Sequence, residues 1–78
     1  MSETDRFRWR CRRGLLELDL ILQSFLERHF EGLDAGERGV FAELLELPDN
    51  DLLDCAMGRR EPDDARYIGL VKLLRASS

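Results

Sequence analysis

Hydrophobic residues recur at intervals of three and four along most of the chain, the spacing that places side chains on one face of an α-helix. The longest series runs from Leu15 to Phe30 and predicts a helix of about four turns that ends near Gly32. No segment alternates apolar and polar residues for long enough to predict a β-strand. The pattern therefore predicts an all-α protein.

Local signals predict two further helices in the middle of the chain. Asp34 lies three residues before Glu37, as in a capping box, and precedes a helix with the inward-facing residues Val40, Phe41, Leu44 and Leu45. Pro48 ends that helix, and Asp49 is predicted as the N-cap of a short one. The short helix is predicted to end at Gly58 and to pack through Leu52, Leu53, Ala56 and Met57.

The two ends of the chain complete the predicted bundle. Pro62 suits the first position of a final helix, with Asp63 and Asp64 in its first turn. That helix carries an apolar stripe of Ile68, Val71 and Leu74, widened by Leu70 and Leu73. An arginine-rich segment from Asp5 to Arg12 is predicted as one more helix. The prediction is a compact five-helix bundle that forms a single domain over residues 1–78.

Composition limits what so small a bundle does. The chain has 78 residues, of which 44% are hydrophobic and 36% charged, so it is expected to fold around a thin core without a deep active site. Its two cysteines do not make a disulfide framework. The sequence has no apolar run long enough for a membrane span and no secretory signal at its start. We therefore expect a cytoplasmic protein without direct membrane insertion.

Charge is divided unevenly along the chain. The net charge is −4, but the first thirteen residues carry five arginines against two acidic residues. Residues 14–78 carry seven basic and fourteen acidic side chains. Because arginine matches carboxylates and phosphates, the amino-terminal segment is predicted to dock an anionic partner. A nucleic acid is disfavoured, since the rest of the domain is acidic.

The sequence offers little for catalysis or metal binding. Cys11, His29 and Cys55 are scattered without the spacing of metal ligands, and His29 is predicted to be an ordinary, partly packed histidine. No third group is placed to orient a cysteine–histidine pair, and phosphate-cradling glycine patterns are absent. These observations favour a binding module over an enzyme.

One cluster has the composition of an interface. It is the run from Trp9 to Glu17, in which a tryptophan and several arginines surround a predicted turn at Gly14. Gly14 can adopt positive φ and allows another chain to approach closely. A purely structural interpretation stays open: Glu17 would close back on its own helix or pair with Arg13, and Trp9 would pack on the core.

The run Trp9–Asp19 resembles the signature of the small flavinylation factors of succinate dehydrogenase, which include the bacterial SdhE (YgfY) proteins and related mitochondrial factors. Their Arg-Gly-x-x-Glu hallmark is matched by Arg13, Gly14 and Glu17. The segment from Gly39 to Leu52 is similar to a later block of the family. Cys55 stands where relatives commonly carry tryptophan, so no role of that tryptophan is expected here.

The resemblance implies a five-helix assembly factor that is not an enzyme. It would bind the flavoprotein subunit of succinate dehydrogenase, and of fumarate reductase, and promote covalent attachment of FAD to a histidine of that subunit. No stably bound cofactor and a monomeric state are expected. The predicted partner-binding residues lie around the turn: Arg8, Trp9, Arg10, Arg12, Arg13, Gly14 and Glu17. In this hypothesis Gly14 permits close approach, Arg13 pairs with a partner carboxylate or carbonyl, and Glu17 fixes the register.

Two other functions remain as alternatives at this stage. Relatives have also been described as antitoxins, which predicts an antagonist of a small membrane toxin or another interaction module. A nucleic-acid-binding bundle that used the arginines would show salt-sensitive binding.

Overall fold

The computed structural model describes residues 2–77, which form five α-helices joined by short turns. The helices are α1 (Glu3–Arg10), α2 (Leu16–Arg28), α3 (Ala35–Leu44), α4 (Asp49–Ala56) and α5 (Ile68–Ser77). Single 3-10 turns lie at Phe30–Gly32 and Ala65–Tyr67. No β-strand occurs in the described residues, so the predicted all-α class is confirmed. The first and last residues of the predicted domain 1–78 lie outside them.

Helix α2 is at the centre of the bundle and packs against α1, α4 and α5. Its predicted apolar face is confirmed: the buried residues are Leu18, Ile21, Leu22, Phe25 and Leu26. The ring of Phe41 from α3 lies 4.7 Å from that of Phe25, measured between centroids, and 5.4 Å from that of Phe7 in α1. No polar or charged residue is buried within residues 2–77. None of the helices described is long and apolar enough to cross a membrane.

The two amino-terminal helices differ from prediction at their ends. Helix α1 begins at Glu3 rather than Asp5 because the Ser2 hydroxyl accepts a hydrogen bond from the Asp5 amide at 3.1 Å, which completes a capping box. Helix α2 ends at Arg28, four residues before Gly32, since the chain tightens there into a 3-10 turn. The buried Phe30 belongs to that turn.

The predicted capping box of α3 is confirmed, whereas the predicted N-cap of α4 is wrong. The Glu37 amide donates to the Asp34 carboxylate at 2.8 Å, and the Asp34 amide donates to Glu37 at 3.0 Å. The N-cap of α4 is Pro48, and Asp49 is the first residue of the helix. No side chain makes a capping hydrogen bond there. The carboxylate of Asp49 binds Arg13 instead.

The start predicted for the last helix is also wrong. Helix α5 begins at Ile68 instead of Pro62, because the Asp64 side chain caps the 3-10 turn by accepting a hydrogen bond from the Arg66 amide at 2.9 Å. As the first residue of α5, Ile68 is 42% exposed, and Met57, which follows α4, is 46% exposed. Both residues were predicted on buried faces. The stop at Gly58 is confirmed by its φ of +78°.

Candidate functional site

The connection between α1 and α2 is a short turn built around Gly14. Its φ is +79°, a left-handed conformation that residues with a side chain adopt only at a cost. A Cβ placed on Gly14 would have no heavy atom within 4 Å, so the space beside it is open. The predicted role of Gly14 in the turn is confirmed. The glycine is required by backbone conformation and not by crowding from its own chain.

Asp19 holds this turn in shape from the first part of α2. Its carboxylate accepts hydrogen bonds from the backbone amides of Arg13 at 2.8 Å and Gly14 at 3.2 Å. The N-cap residue Leu15 makes no side-chain hydrogen bond. Asp19 therefore supplies the side-chain hydrogen bonds that hold the backbone just before α2. Asp19 was not predicted as a site residue, although it lies within the run that carries the family resemblance.

Arg13 connects the turn to a distant part of the bundle. Its guanidinium donates from Nε to the Arg10 carbonyl at 2.9 Å, from Nη1 to Asp49 at 3.0 Å, and from Nη2 to the Leu45 carbonyl. Only 14% of its side chain is exposed. Arg13 therefore fixes the turn against the α3–α4 junction. Its predicted pairing with a partner group stays a prediction.

Glu17 is the second residue of α2, exposed on its outer surface three residues after Gly14. Within residues 2–77 its carboxylate has no hydrogen bond and no ion pair. The alternative in which Glu17 closes back on its own helix is therefore wrong, and so is the pair with Arg13. Glu17 is available to a partner.

Trp9 is 73% exposed, so the alternative in which it packs on the core is wrong. With Asp5, Arg8 and Arg12 it lines a shallow depression of about 200 Å³. Neither Arg8 nor Arg12 has an acidic partner in the part of the chain that is described. This surface combines a large aromatic ring with two guanidinium groups whose donors are free, as interface hot spots do.

A second depression lies on the other side of Arg8 and Arg12. It has a volume of about 510 Å³ and reaches to the turn; its lining residues are Arg8, Cys11, Arg12, Gly14, Asp19, Gln23 and Leu26. Arg10 differs from its neighbours because its Nη2 donates to the Ala42 carbonyl at 3.1 Å and its guanidinium carbon lies 6.0 Å from the Phe7 ring centroid. Of the predicted partner-binding arginines, Arg8 and Arg12 are thus the ones whose guanidinium groups make no hydrogen bond within residues 2–77.

The cysteines and the histidine show no arrangement for catalysis. Burial raises the pKa of the Cys11 thiol from 9.0 to about 12, although the nearby Arg13 guanidinium acts in the opposite direction. Burial likewise raises the pKa of the Cys55 thiol. His29 is half-buried, with its ring centroid 5.7 Å from that of Phe25. No cluster suited to a metal ion occurs among residues 2–77.

Comparison with known proteins identifies the family of the chain. The family model described as Sdh5, flavinator of succinate dehydrogenase, matches residues 5–78. The chain belongs to this family. The match covers nearly the whole chain, the α1–α2 turn included.

Curated relatives within the Sdh5 family carry one name. The chain is 45% identical over 75 residues to "FAD assembly factor SdhE" of Ralstonia nicotianae, which covers 91% of this chain and 79% of the relative. It is 40% identical over 76 residues to the protein of that name from Methylococcus capsulatus, with 97% and 92% covered. The relative from Coxiella burnetii is 36% identical over 73 residues, with 94% and 89% covered.

Proposed function

We propose that this protein binds the flavoprotein subunit of succinate dehydrogenase and promotes the covalent attachment of FAD to it. Membership of the Sdh5 family and the name FAD assembly factor, shared by its relatives, support this function. We extend the proposal to the flavoprotein of fumarate reductase, which the resemblance in sequence implies. The protein acts in the cytoplasm as a monomer.

The observation that carries the proposal is the contrast within the α1–α2 turn. Inward-facing groups of Arg13 and Asp19 are occupied by hydrogen bonds, which fix the backbone. Outward-facing groups of Arg8, Arg12 and Glu17 have no partner in the described chain. A fixed backbone that presents unpaired charges beside an exposed tryptophan is organised for binding, because little conformational entropy is lost when a partner docks.

In the proposed mechanism the protein selects one arrangement of the flavoprotein. The flavin supplies the chemistry of its own attachment, and the surrounding protein needs to supply orientation and electrostatics. A docked helper that prefers the competent arrangement raises its population without contributing a catalytic group. Gly14 lets the flavoprotein approach the backbone, and Glu17 fixes the register.

The arginines divide between contact and support in this mechanism. Arg8 and Arg12, with Trp9, receive an anionic segment of the flavoprotein. Arg13 acts chiefly by positioning the turn, with its remaining N–H groups directed to the partner, and Arg10 contributes at the edge. The protein is not an enzyme and holds no FAD of its own; the protonated state of the buried Cys11 thiol, which leaves it without a thiolate nucleophile, supports the first part of this proposal.

The test is in-gel fluorescence of covalent flavin on the succinate dehydrogenase flavoprotein. Cells would carry the gene, lack it, or express the Gly14→Arg variant at wild-type level. We expect the fluorescent band to disappear on deletion, to return with the wild-type gene, and to stay absent with Gly14→Arg. The arginine side chain would occupy the open space in which the flavoprotein docks.

A fold control separates loss of docking from loss of structure. Helical circular dichroism of purified Gly14→Arg should stay close to that of the wild type, since the new side chain meets no heavy atom of its own chain and the cost of a positive φ, about 1–2 kcal/mol, falls on the turn between α1 and α2. A full-strength flavin band in the deletion strain would contradict the proposal. It would favour the antagonist alternative.

A further inference from the structure

A third depression lies beside Glu17 and shares no lining residue with the two depressions at the arginines. Its volume is about 270 Å³, and it is lined by Glu17, Leu20, Ile21, Met57 and Ser77. Leu20 is 57% exposed and Met57 is 46% exposed. An apolar hollow rimmed by one carboxylate is thus open to solvent where α2 passes the end of α4.

The surrounding surface is also apolar. Leu16 and Leu20 are four residues apart on α2 and share its outer face, and Leu16 is 75% exposed. Of the five large hydrophobic residues exposed in the described chain, three therefore lie at this place: Leu16, Leu20 and Met57. Contiguous exposed apolar surface with a polar rim is typical of protein interaction sites.

The charge at the rim defines the chemistry of the occupant. The Glu17 carboxylate has no ion pair or hydrogen bond within residues 2–77, so a cation brought to the rim would find it available. Leu20, Ile21 and Met57 supply only apolar contact. A partner segment with an apolar side chain next to a lysine or arginine fits this site, because the apolar side chain fills the hollow and the cation pairs with the Glu17 carboxylate.

We propose that the hollow beside Glu17 is a second docking point for the flavoprotein, and that it receives a basic–apolar segment of that subunit. This inference rests on the function proposed above. Glu17 is three residues from Gly14 in sequence and lies in the first turn of α2, so the hollow that it lines adjoins the α1–α2 turn at which the partner is proposed to dock. The docking surface then has two polarities: cationic at Arg8 and Arg12, acidic and apolar at Glu17, Leu20 and Met57.

The experiment measures the dissociation constant of the purified, unflavinylated flavoprotein subunit for the full chain. The test variant is Leu20→Ser/Met57→Ser, in which both side chains are exposed and their loss leaves the core intact. The matched control is Ile68→Ser. Ile68 is similarly exposed at 42% but lies at the start of α5, whereas Ser77 at the end of that helix lines the hollow. Gly14→Arg is included as the variant that tests the proposed function.

We expect Leu20→Ser/Met57→Ser to weaken binding by about tenfold or more and Ile68→Ser to change it by less than about twofold. Equal binding by wild type and Leu20→Ser/Met57→Ser, with Gly14→Arg still defective, would overturn the second docking point and leave the proposed function standing. Absence of binding by the wild type would overturn both. Equal thermal unfolding midpoints for the two serine variants would show that docking, and not folding, is compared.

The charge of the occupant is tested at Glu17. Glu17→Lys should weaken binding by about tenfold, and Glu17→Gln by about threefold, because the first repels a basic segment and the second only removes an attraction. Binding by Glu17→Lys that equals the wild type would overturn the basic character of the segment. Both variants should fold normally, since the Glu17 side chain has no partner within the chain described.

Discussion

Two turns of the molecule hold a glycine at positive φ, and they differ in the charged groups around them. Gly14 has a φ of +79° and Gly58 a φ of +78°. Each follows a buried cysteine by three residues, Cys11 in one turn and Cys55 in the other. Each is also held by an arginine that donates to main-chain carbonyls of nearby segments.

At Gly58 several charges are paired within the chain. Arg59 lies 3.4 Å from Asp54, Arg60 lies 3.0 Å from Asp51, and Arg75 lies 3.2 Å from Glu61. A Cβ on Gly58 would meet Nε of Arg75 at 3.8 Å, so a side chain of the same protein lies in contact distance of this turn.

At Gly14 the backbone of the turn is also held by hydrogen bonds, from Arg13 and to Asp19, but the charged groups on the outer surface are not paired within residues 2–77. Arg8, Arg12 and Glu17 have no partners among the residues described, and Trp9 is exposed beside them. Pairing those charges internally is possible in this fold, as the other turn demonstrates. We therefore propose a division of roles in the Gly14 turn, in which the inward groups serve stability and the outward groups serve binding.

Substitutions of Arg13 and Arg12 test the division between stabilising and binding groups, and they have the largest expected effect. Arg13→Met should lower the free energy of unfolding by about 3 kcal/mol, because it removes three charge-assisted hydrogen bonds at a largely buried site. Arg12→Met should change it by less than about 0.5 kcal/mol while weakening flavoprotein binding. Urea unfolding and a binding titration provide the two measurements. Similar losses of stability in both variants would abolish the distinction.

The two acidic residues of the same run give a second, smaller contrast. Asp19→Ala should cost about 2 kcal/mol of unfolding free energy, since the amides of Arg13 and Gly14 lose their acceptor. Glu17→Ala should cost less than about 0.5 kcal/mol and act on binding alone. Chemical denaturation measures both, and the division would fail if Glu17→Ala proved the more destabilising of the two.

The buried cysteine beneath the Gly14 turn predicts the smallest effect, a loss of stability at alkaline pH. Folding raises the pKa of Cys11 from 9.0 to about 12, so the folded state keeps the proton that the unfolded state releases. The contribution is complete below the unfolded pKa and is lost as pH rises toward the folded one. Between about pH 8 and about pH 10 wild type should lose about 1 kcal/mol more than Cys11→Ala. Equal losses in the two proteins would place the thiol in contact with water.

Sequence predicted those parts of the fold whose signals are local. The apolar face of α2 and the capping box of Asp34 and Glu37 depend on residues within a few positions of each other, and the structure confirms both. The sequence left the exposure of Trp9 open. The structure explains it: Phe7 and Cys11 are buried, and Trp9 lies two residues, or about 200° on a helix, from each of them.

The role of Arg13 in fixing the turn could not be predicted from local sequence. Its acceptors at Leu45 and Asp49 are 32 and 36 residues away, and only the folded bundle brings them to the turn. Asp49 was consequently predicted as a helix cap, while its carboxylate is used across the bundle. The start of α5 was misplaced for a related reason, since the proline signal at Pro62 did not reveal that Asp64 caps a separate 3-10 turn.

The most direct test of the central claim is the rate of covalent flavin attachment in a purified mixture of flavoprotein subunit, FAD and this protein. Gly14→Arg would be compared with Gly69→Arg, because both glycines have open space for a side chain and Gly69 lies in α5, near its start. Gly14→Ala, which carries the same cost of positive φ without a long side chain, should keep activity. We predict that Gly69→Arg supports attachment at the wild-type rate, whereas Gly14→Arg reduces it to the level without helper. Equal rates for the two variants would contradict the account.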